Sequence, residues 1–229
     1  MGEGSWDQRV ARLGAWVRDP ENVPPKIAKR MQDAAQRWTN ISAVGVDALH
    51  LQAAVMEEAG GQFQFTGGKK PPAANDVDRE AARTIYALTQ EAFRQAGVTQ
   101  VTLYRGIGTD QKLRRGAKVD PKQNPLSSWT TEMEVADGFA EYQSEERGKR
   151  GAVLKIRVPV SQVFATHEVL TALAPKNKMA TEFEHIVLGV KLPKARVNSV
   201  IGKAEGDDEA VQLEGEENTD WLRNRPARI

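Results

Sequence analysis

The spacing of apolar residues changes once along this 229-residue chain, and the change limits the folds open to it. Up to about Gly97, apolar residues recur every three or four positions, which is the period of an amphipathic helix. After Gly97 they alternate with polar residues at a period of two, as is typical of β-strands. The sequence therefore predicts an α+β protein in which helices come first and strands follow.

Four helices are predicted within residues 1–97, in WDQRVARLGAWV, PKIAKRMQDAAQRW, VDALHLQAAVMEEAGG and VDREAARTIYALTQEAFRQAG. Pro25 suits the first turn of the second helix. Asn75 or Asp76 suits the N-cap of the fourth helix, which Gly97 ends. We expect these helices to form an N-terminal layer that packs on a strand-rich core, residues 98–229, in one compact unit.

Strands are predicted where β-branched and aromatic residues fall between turn signals. The segments are TQVTLYRGI, AVLKIRVPV, FEHIVLGVKL and the shorter VNSVIG. One helix interrupts them in TTEMEVADGFAEYQSEE, where Thr131 and Glu134 have the spacing of a capping box.

Composition excludes several classes of function. Lys and Arg number 32 against 31 Asp and Glu, so the chain lacks the overall basic field of many nucleic-acid-binding domains, although a local basic patch stays open. It contains no cysteine, which rules out disulfides, thiolate zinc sites and thiol nucleophiles. Its three histidines have no ligand spacing, so we expect no metal.

The N-terminus lacks the basic start and apolar run of a secretory signal, and no apolar stretch approaches the ~20 residues that span a bilayer. We therefore expect a protein made in the cytoplasm, with no contact with the membrane. Action outside the producing cell would require a non-classical export route or delivery into a target cell.

In VTLYRGIG, a core-facing row of residues ends in a charge. Alternation places Val101, Leu103 and Arg105 on one face, and Gly106 follows at once. A half-buried guanidinium needs an anionic partner, and glycine beside it leaves room for a phosphate. The alternative, favoured by this stretch alone, is a surface arginine before a glycine turn.

Hydroxyl groups crowd around Trp129 in NPLSSWTTEMEVADGFA. The capping box explains part of this richness but leaves Ser128 without a structural role. A hydroxyl on a short strand can hold a neighbouring carboxylate in one rotamer. Taken singly, the segment is better explained as a helix start.

The segment TEFEHIVLG places Glu182 and Glu184 two residues apart at the start of an apolar strand. On a regular strand they would share one face at roughly 6 to 7 Å. Two like charges so placed cost free energy. Such a pair is therefore expected only where water solvates both carboxylates or where a functional site requires them. The other two Glu-x-Glu pairs of the chain lie in a helix first turn and in an acidic turn, where they need no further explanation.

In this order, the three segments resemble the signature of mono-ADP-ribosyltransferases of the R-S-E branch. Arg105 corresponds to the arginine, Ser128 to the serine and Glu184 to the glutamate, and the similarity covers roughly residues 98–202. The family's Ser-Thr-Ser triplet is not intact, because Trp129 stands in the middle; a shifted register would use Ser127 instead. The resemblance implies an ADP-ribosyltransferase fold, with a mixed β-sandwich core behind the helical layer.

The resemblance also implies NAD as the ADP-ribose donor, with no metal. Arg105 would neutralise the pyrophosphate, and the Gly106 backbone would meet the nicotinamide amide. Glu184 would stabilise positive charge on the ribose, with Ser128 fixing its rotamer. The other residues expected at NAD are Ser127, Trp129, Thr130, Arg147 and Arg150.

Glu182 sets the expected target, since family members with Glu at this position resemble arginine modifiers. It would orient and deprotonate the acceptor guanidinium. The segment TALAPKNKMAT would present the target protein. By analogy, the chain is a toxin or effector with an antitoxin or immunity protein as its partner.

Two alternatives remain. The same site would serve to modify a nucleic acid or to hydrolyse NAD. In the second alternative the chain is no enzyme, but a phage virion or assembly module that keeps the fold for packing.

Overall fold

The computed structural model describes residues 23–41, 50, 52–55, 57, 73–121, 126–173, 183–189 and 192–201. The helices are α1 (Pro25–Ile41), α2 (Asp76–Ala96), α3 (Met133–Glu145) and α4 (His167–Leu173). The strands are β1 (Gln100–Thr109), β2 (Lys118–Val119), β3 (Leu126–Thr130), β4 (Arg150–Pro159), β5 (Val163–Ala165), β6 (Glu184–Leu188) and β7 (Ala195–Ile201).

The change from helices to strands near Gly97 is confirmed: α1 and α2 are the second and fourth predicted helices. The first predicted helix lies outside the described residues, and of the third only residues 50, 52–55 and 57 are described, all helical. The sequence did not predict α4, β2 or β5. These elements have two to seven residues, too few to show a period.

Both ends of α2 follow the predicted signals. Asn75 Oδ1 accepts a hydrogen bond of 2.9 Å from the Asp78 amide, and the Asp78 carboxylate accepts one of 3.2 Å from the Asn75 amide. This reciprocal capping box satisfies two amides that a helix start leaves without partners. At the other end, Gly97 has φ 67°, a left-handed conformation that costs glycine little.

We expect Asn75→Ala to lower the free energy of unfolding by about 1 kcal/mol, because the Asp78 amide loses its side-chain acceptor. Urea denaturation measures the change. The matched variant Asn75→Asp keeps an acceptor oxygen and should retain most of the stability. Equal losses in the two variants would contradict a capping role for Asn75.

The seven strands form one hydrogen-bonded sheet in the order β2-β7-β4-β1-β3-β6-β5. Every pairing in the described part of the chain is antiparallel, whereas the core expected above has mixed strand directions. β1 pairs with β4 along its whole length, but with β3 only through Tyr104 and Thr130. The sheet is therefore divided at this pair into a four-stranded and a three-stranded part.

The two parts of the sheet enclose one apolar interior, to which β1, β3, β4 and β6 contribute buried residues. Leu103, Trp129, Leu154 and Val187 belong to this single cluster. Their exposed fractions are near zero, so the predicted core-facing side of β1 is confirmed. Burial of this apolar surface from both parts stabilises the curled sheet.

Helices cover the outer faces of the sheet. α3 packs on the four-stranded part, where Ala136 and Ala140 contact Val153. On the three-stranded part, Leu126 and Ile186 belong to a cluster that includes residues of α1, α2 and α4. The predicted packing of the helical layer on the strands thus involves the three-stranded part.

Candidate functional site

Strands β1, β3 and β6 bring the three predicted motifs to one place in the sheet. Tyr104, the neighbour of Arg105, lies directly opposite Thr130, which in turn lies directly opposite Glu184. Arg105 and Glu184 are therefore two strands apart at nearly the same level. At a strand spacing of ~4.8 Å, their backbones are separated by about 10 Å.

Past the pair of Tyr104 and Thr130, β1 and β3 move apart. Residues 105–108 of β1 and residues 126–129 of β3 are level with each other without strand pairing, and we call the space between them the opening. An unpaired strand edge presents backbone N–H and C=O groups that a ligand can bind. The opening is thus a place where backbone as well as side chains could hold a ligand.

Arg105 lies at the base of the opening and is partly buried. Its guanidinium carbon is 5.9 Å from the centroid of the Trp129 ring, and burial lowers the pKa of the guanidinium. Within the part of the chain that the structure describes, Arg105 has no carboxylate at ion-pair distance. A partly buried cation without a counter-ion is a favourable site for an anion.

The side chains of Arg105 and Glu184 point to opposite faces of the sheet. Directly opposite residues in an antiparallel sheet point the same way, so Glu184 shares its face with Thr130 and Tyr104. Arg105 points with Trp129 toward the interior. The opening is one route by which a ligand could contact both charged groups.

The strand that carries Glu184 begins one residue later than the predicted segment FEHIVLGVKL. β6 starts at Glu184, and Phe183 before it has φ 45°, a left-handed conformation that is uncommon for an aromatic residue. The rule that predicted a common face for Glu182 and Glu184 therefore does not extend across Phe183. Glu182 itself lies outside the described residues.

The hydroxyl groups of β3 differ in their positions relative to Glu184. Thr130 is directly opposite Glu184, whereas Ser128 is opposite Ile186 and hence diagonal to Glu184. Ser127, the register alternative, is buried and lies opposite Val187, so it is on the other face of the sheet from Glu184. The geometry thus brings Thr130 closest to the glutamate in register.

The predicted capping box of α3 is wrong. The helix begins at Met133, which makes Glu132 the N-cap residue and places Thr131 one position before it. Thr130 Oγ1 instead accepts a hydrogen bond of 3.0 Å from the Glu132 amide. The Thr131 hydroxyl is buried and makes no hydrogen bond to the described residues.

A cavity of about 490 Å³ lies on the interior side of β1 and includes Arg105 in its wall. Its size is within the range of roughly 300–1,000 Å³ that is usual for small-molecule sites. Arg105 and Lys149 contribute positive charge, and Asp110 and Asp120 contribute negative charge. The remaining wall residues are Ile107, Gly108, Thr109, Gln111, Leu113, Val119, Pro121 and Leu154.

Lys149 lines this cavity, while the two basic residues predicted from the same segment do not. The guanidinium carbon of Arg147 is 5.7 Å from the Tyr142 ring centroid at the surface, and Arg150 pairs with Thr109 in the sheet. Lys149 was missed because only the pairing of β1 with β4 brings it beside Gly108.

Gly106 is covered by α3 so closely that no side chain would fit. An ideal Cβ at Gly106 would fall on the Ala136 carbonyl oxygen, 2.7 Å from the Ala140 nitrogen and 2.8 Å from the Phe139 Cβ. The Phe139 side chain is 46% exposed, so an aromatic ring lies at the surface near the opening. Sequence reasoning missed Phe139, because the helix pattern marks it only as one apolar residue of α3.

His185, the residue after Glu184, is 1% exposed, and its Nδ1 is 3.1 Å from the Phe183 carbonyl oxygen. Burial lowers the pKa of His185 below its usual 6.5. Glu168 opposes this effect on the pKa and His167 adds to it. Burial also lowers the pKa of His167.

We expect the free energy of unfolding to fall as the pH falls below about 6.5, because the unfolded chain then binds protons that buried His185 does not. His185→Asn keeps a donor for the Phe183 carbonyl and removes the titrating group. It should weaken the dependence between pH 7 and pH 5, with His167 contributing to what remains. Urea denaturation at several pH values tests this, and an unchanged slope in the variant would contradict it.

Two features are absent from the described residues. These residues contain no group of three or more His, Asp and Glu side chains placed to hold a metal ion. Likewise, none of the helices described here is both long and apolar enough to cross a bilayer.

Fold and site together define an α+β protein whose antiparallel sheet carries a charged opening between two of its strands. Comparison with protein-family models, curated proteins and solved structures finds no match to this chain.

Proposed function

We propose that this chain is a mono-ADP-ribosyltransferase of the R-S-E branch, with the fold of that family. It would cleave NAD between nicotinamide and ribose and transfer ADP-ribose to an arginine of a protein. The observation that carries the proposal is the opening, which has unpaired edges of β1 and β3, the partly buried Arg105 at its base, and Glu184 on the strand beyond β3.

The residues at the opening suit the parts of NAD. Arg105 would pair with the pyrophosphate, whose negative charge supplies the counter-ion that the described residues lack. The free edge of β1 at Gly106 would hydrogen-bond the nicotinamide amide. The exposed ring of Phe139 would give the flat nicotinamide an apolar surface.

In the reaction, the bond between the ribose carbon and the nicotinamide nitrogen breaks, and its electron pair leaves with nicotinamide. Positive charge develops on the ribose, as in glycoside cleavage, and the Glu184 carboxylate stabilises it. A guanidinium nitrogen of the target then bonds to the same carbon and loses a proton to Glu182. The products are nicotinamide, ADP-ribosylated arginine and one proton.

Labelled NAD tests the proposal. The protein is incubated with NAD labelled in the adenylate half and, in separate tubes, with agmatine as a small guanidine acceptor, with cell lysate and with nucleic acid. We expect label on agmatine and on lysate protein, where it should survive nuclease.

The other outcomes point to the alternatives. Label on nucleic acid alone would indicate a nucleic-acid modifier, and free ADP-ribose without any labelled acceptor would indicate an NAD hydrolase. If no tube shows turnover, a non-enzymatic assembly role replaces the proposal.

A further inference from the structure

Five cations lie together on the outer face of the four-stranded part of the sheet, on β2, β7 and β4. Lys118 and Lys155 are both directly opposite Arg196, so these three share one face across adjacent strands. Arg157 is two residues beyond Lys155 on the same face, and the register of β4 and β7, when extended, brings Lys194 beside it. We call these five residues the basic patch. The chain thus has a local basic patch although its net charge is only +1.

The basic patch is electrostatically unfavourable by itself. Like charges directly opposite each other destabilise a sheet. Acidic residues lie near it, because Asp120 directly follows β2 and Asp137 of α3 accepts a hydrogen bond of 3.1 Å from Ser199 on β7. In the part of the chain that the structure describes, however, no carboxylate lies at ion-pair distance from any of the five cations. A further anionic group over the patch would relieve the repulsion.

The most acidic part of the chain follows the strand in the middle of the basic patch. β7, which carries Arg196, ends at Ile201, and residues 202–229 lie outside the described residues. Residues 205–220 contain eight carboxylates and no lysine or arginine, and three of these carboxylates are consecutive, from Asp207 to Glu209. We call residues 205–220 the acidic segment. Its charge is complementary to that of the patch, and the two are joined covalently through β7.

We propose that the acidic segment docks on the basic patch of the same chain. The distance from Ile201 back to Arg196 is five residues of β7, about 17 Å. An extended chain covers ~3.3–3.6 Å per residue, so Asp207, six residues beyond Ile201, and the two carboxylates after it are within reach of Arg196. A covalent connection of this length gives an effective concentration in the millimolar range, which favours contact even when each ion pair is weak.

The edge of the sheet offers a path to the basic patch that does not cross α3. The Asn198 side-chain amide is 3.1 Å from Met133 Sδ, so α3 covers the outer face of β7 at that level. β2 pairs with β7 only at the first two residues of β7, and residues 198–201 have no strand neighbour on that side among the described residues. A chain that turns back after Ile201 can therefore follow this edge of β7 to Arg196.

The character of the surface favours the acidic segment over a separate partner. Protein interfaces have an apolar core, whereas none of the large exposed hydrophobic residues of the described chain belongs to the basic patch. A nucleic acid could contact the patch through its phosphates. It would have to displace the tethered segment, and this competition provides a test.

Paramagnetic labelling tests where the acidic segment lies. The chain contains no cysteine, so Ala210→Cys takes a single nitroxide label. We expect the label to broaden the backbone amide signals of Lys118, Lys155 and Arg196, and the broadening to fade as salt is added, because salt screens exposed charges. A label on α1, at Lys26→Cys, should leave these signals unchanged.

Binding of a single-stranded oligonucleotide tests whether the acidic segment shields the patch. In the full-length chain, the segment variant Asp207→Asn/Asp208→Asn/Glu209→Gln should bind the oligonucleotide about tenfold more tightly than the wild-type protein, since a few exposed ion pairs together contribute this much. The control Glu141→Gln/Glu145→Gln/Glu146→Gln removes three exposed carboxylates at the C-terminal end of α3 and changes the net charge equally. It should bind about as the wild-type protein does.

A patch variant locates the gain in affinity. Lys118→Gln/Arg157→Gln/Arg196→Gln, added to the segment variant, should remove the tenfold gain. Thermal unfolding of every variant checks that it is folded.

Each result supports or overturns the inference, which does not depend on the proposed function. Patch signals that the label at residue 210 leaves unchanged would overturn it, as would equal oligonucleotide binding by the segment variant and the α3 control. A gain that persists in the patch variant would also overturn it. If the wild-type protein already binds the oligonucleotide as tightly as the segment variant does, and the patch variant does not, the patch is assigned to nucleic acid instead.

Discussion

Glu184→Gln is expected to lower NAD cleavage and ADP-ribose transfer together, by about a hundredfold to a thousandfold. The substitution keeps the size of the side chain and removes the negative charge that would stabilise the ribose as nicotinamide leaves. Loss of one preorganised electrostatic group in an active site has effects of this order, roughly 3 to 4 kcal/mol in the barrier. Release of nicotinamide and labelling of agmatine measure the two activities.

The matched variant is Glu182→Gln, which should keep NAD cleavage and lose transfer to arginine. This difference would separate stabilisation of the ribose from deprotonation of the acceptor. Equal loss of cleavage in the two variants would mean that the roles have been divided wrongly between the glutamates. Full cleavage in Glu184→Gln would leave the proposed function without its main residue.

Gly106→Ala should lower the free energy of unfolding by about 3 kcal/mol, at the upper end of overpacking effects. The added methyl group would fall on the Ala136 carbonyl oxygen, so α3 would have to move away from β1. For a protein of this size, we expect the melting temperature to fall by about 6 to 12 °C. Because α3 borders the opening, NAD cleavage should fall as well.

Gly138→Ala supplies the control within the same helix. An ideal Cβ at Gly138 meets nothing within 4 Å in the structure, and alanine has the higher helix propensity. This variant should gain roughly 0.5 to 1 kcal/mol in the free energy of unfolding. A destabilisation of similar size in both variants would show that the close contact at Gly106 is not the cause.

Elements of several turns or many alternations were predictable because their patterns repeat. α2 has its apolar stripe, its cap at Asn75 and its glycine stop, while β1 and β4 show ten-residue strands rich in β-branched residues. The start of α3 was placed wrongly, because Thr131 and Glu132 both allow a helix to begin nearby. Local signals of that strength cannot choose between adjacent residues.

The candidate site was predictable in its charged members and not in its surroundings. Arg105 is conspicuous because it ends a core-facing row of apolar residues, and Glu184 because it begins an apolar strand. Lys149 and Phe139 gave no such signal, since a lysine before a strand and a phenylalanine in a helix are ordinary. Their proximity to the opening follows only from strand pairing and from the packing of α3.

The amino-acid sequence by itself determined the order of helices and strands, because hydrophobic period and capping depend on residues within a few positions of each other. Only the tertiary structure decided which strands are neighbours, and therefore that Glu184 lies level with Thr130 and Tyr104. It also decided that β1 and β3 separate beyond one pair. Register and separation depend on contacts between distant segments of the chain, for which a linear pattern has no signal.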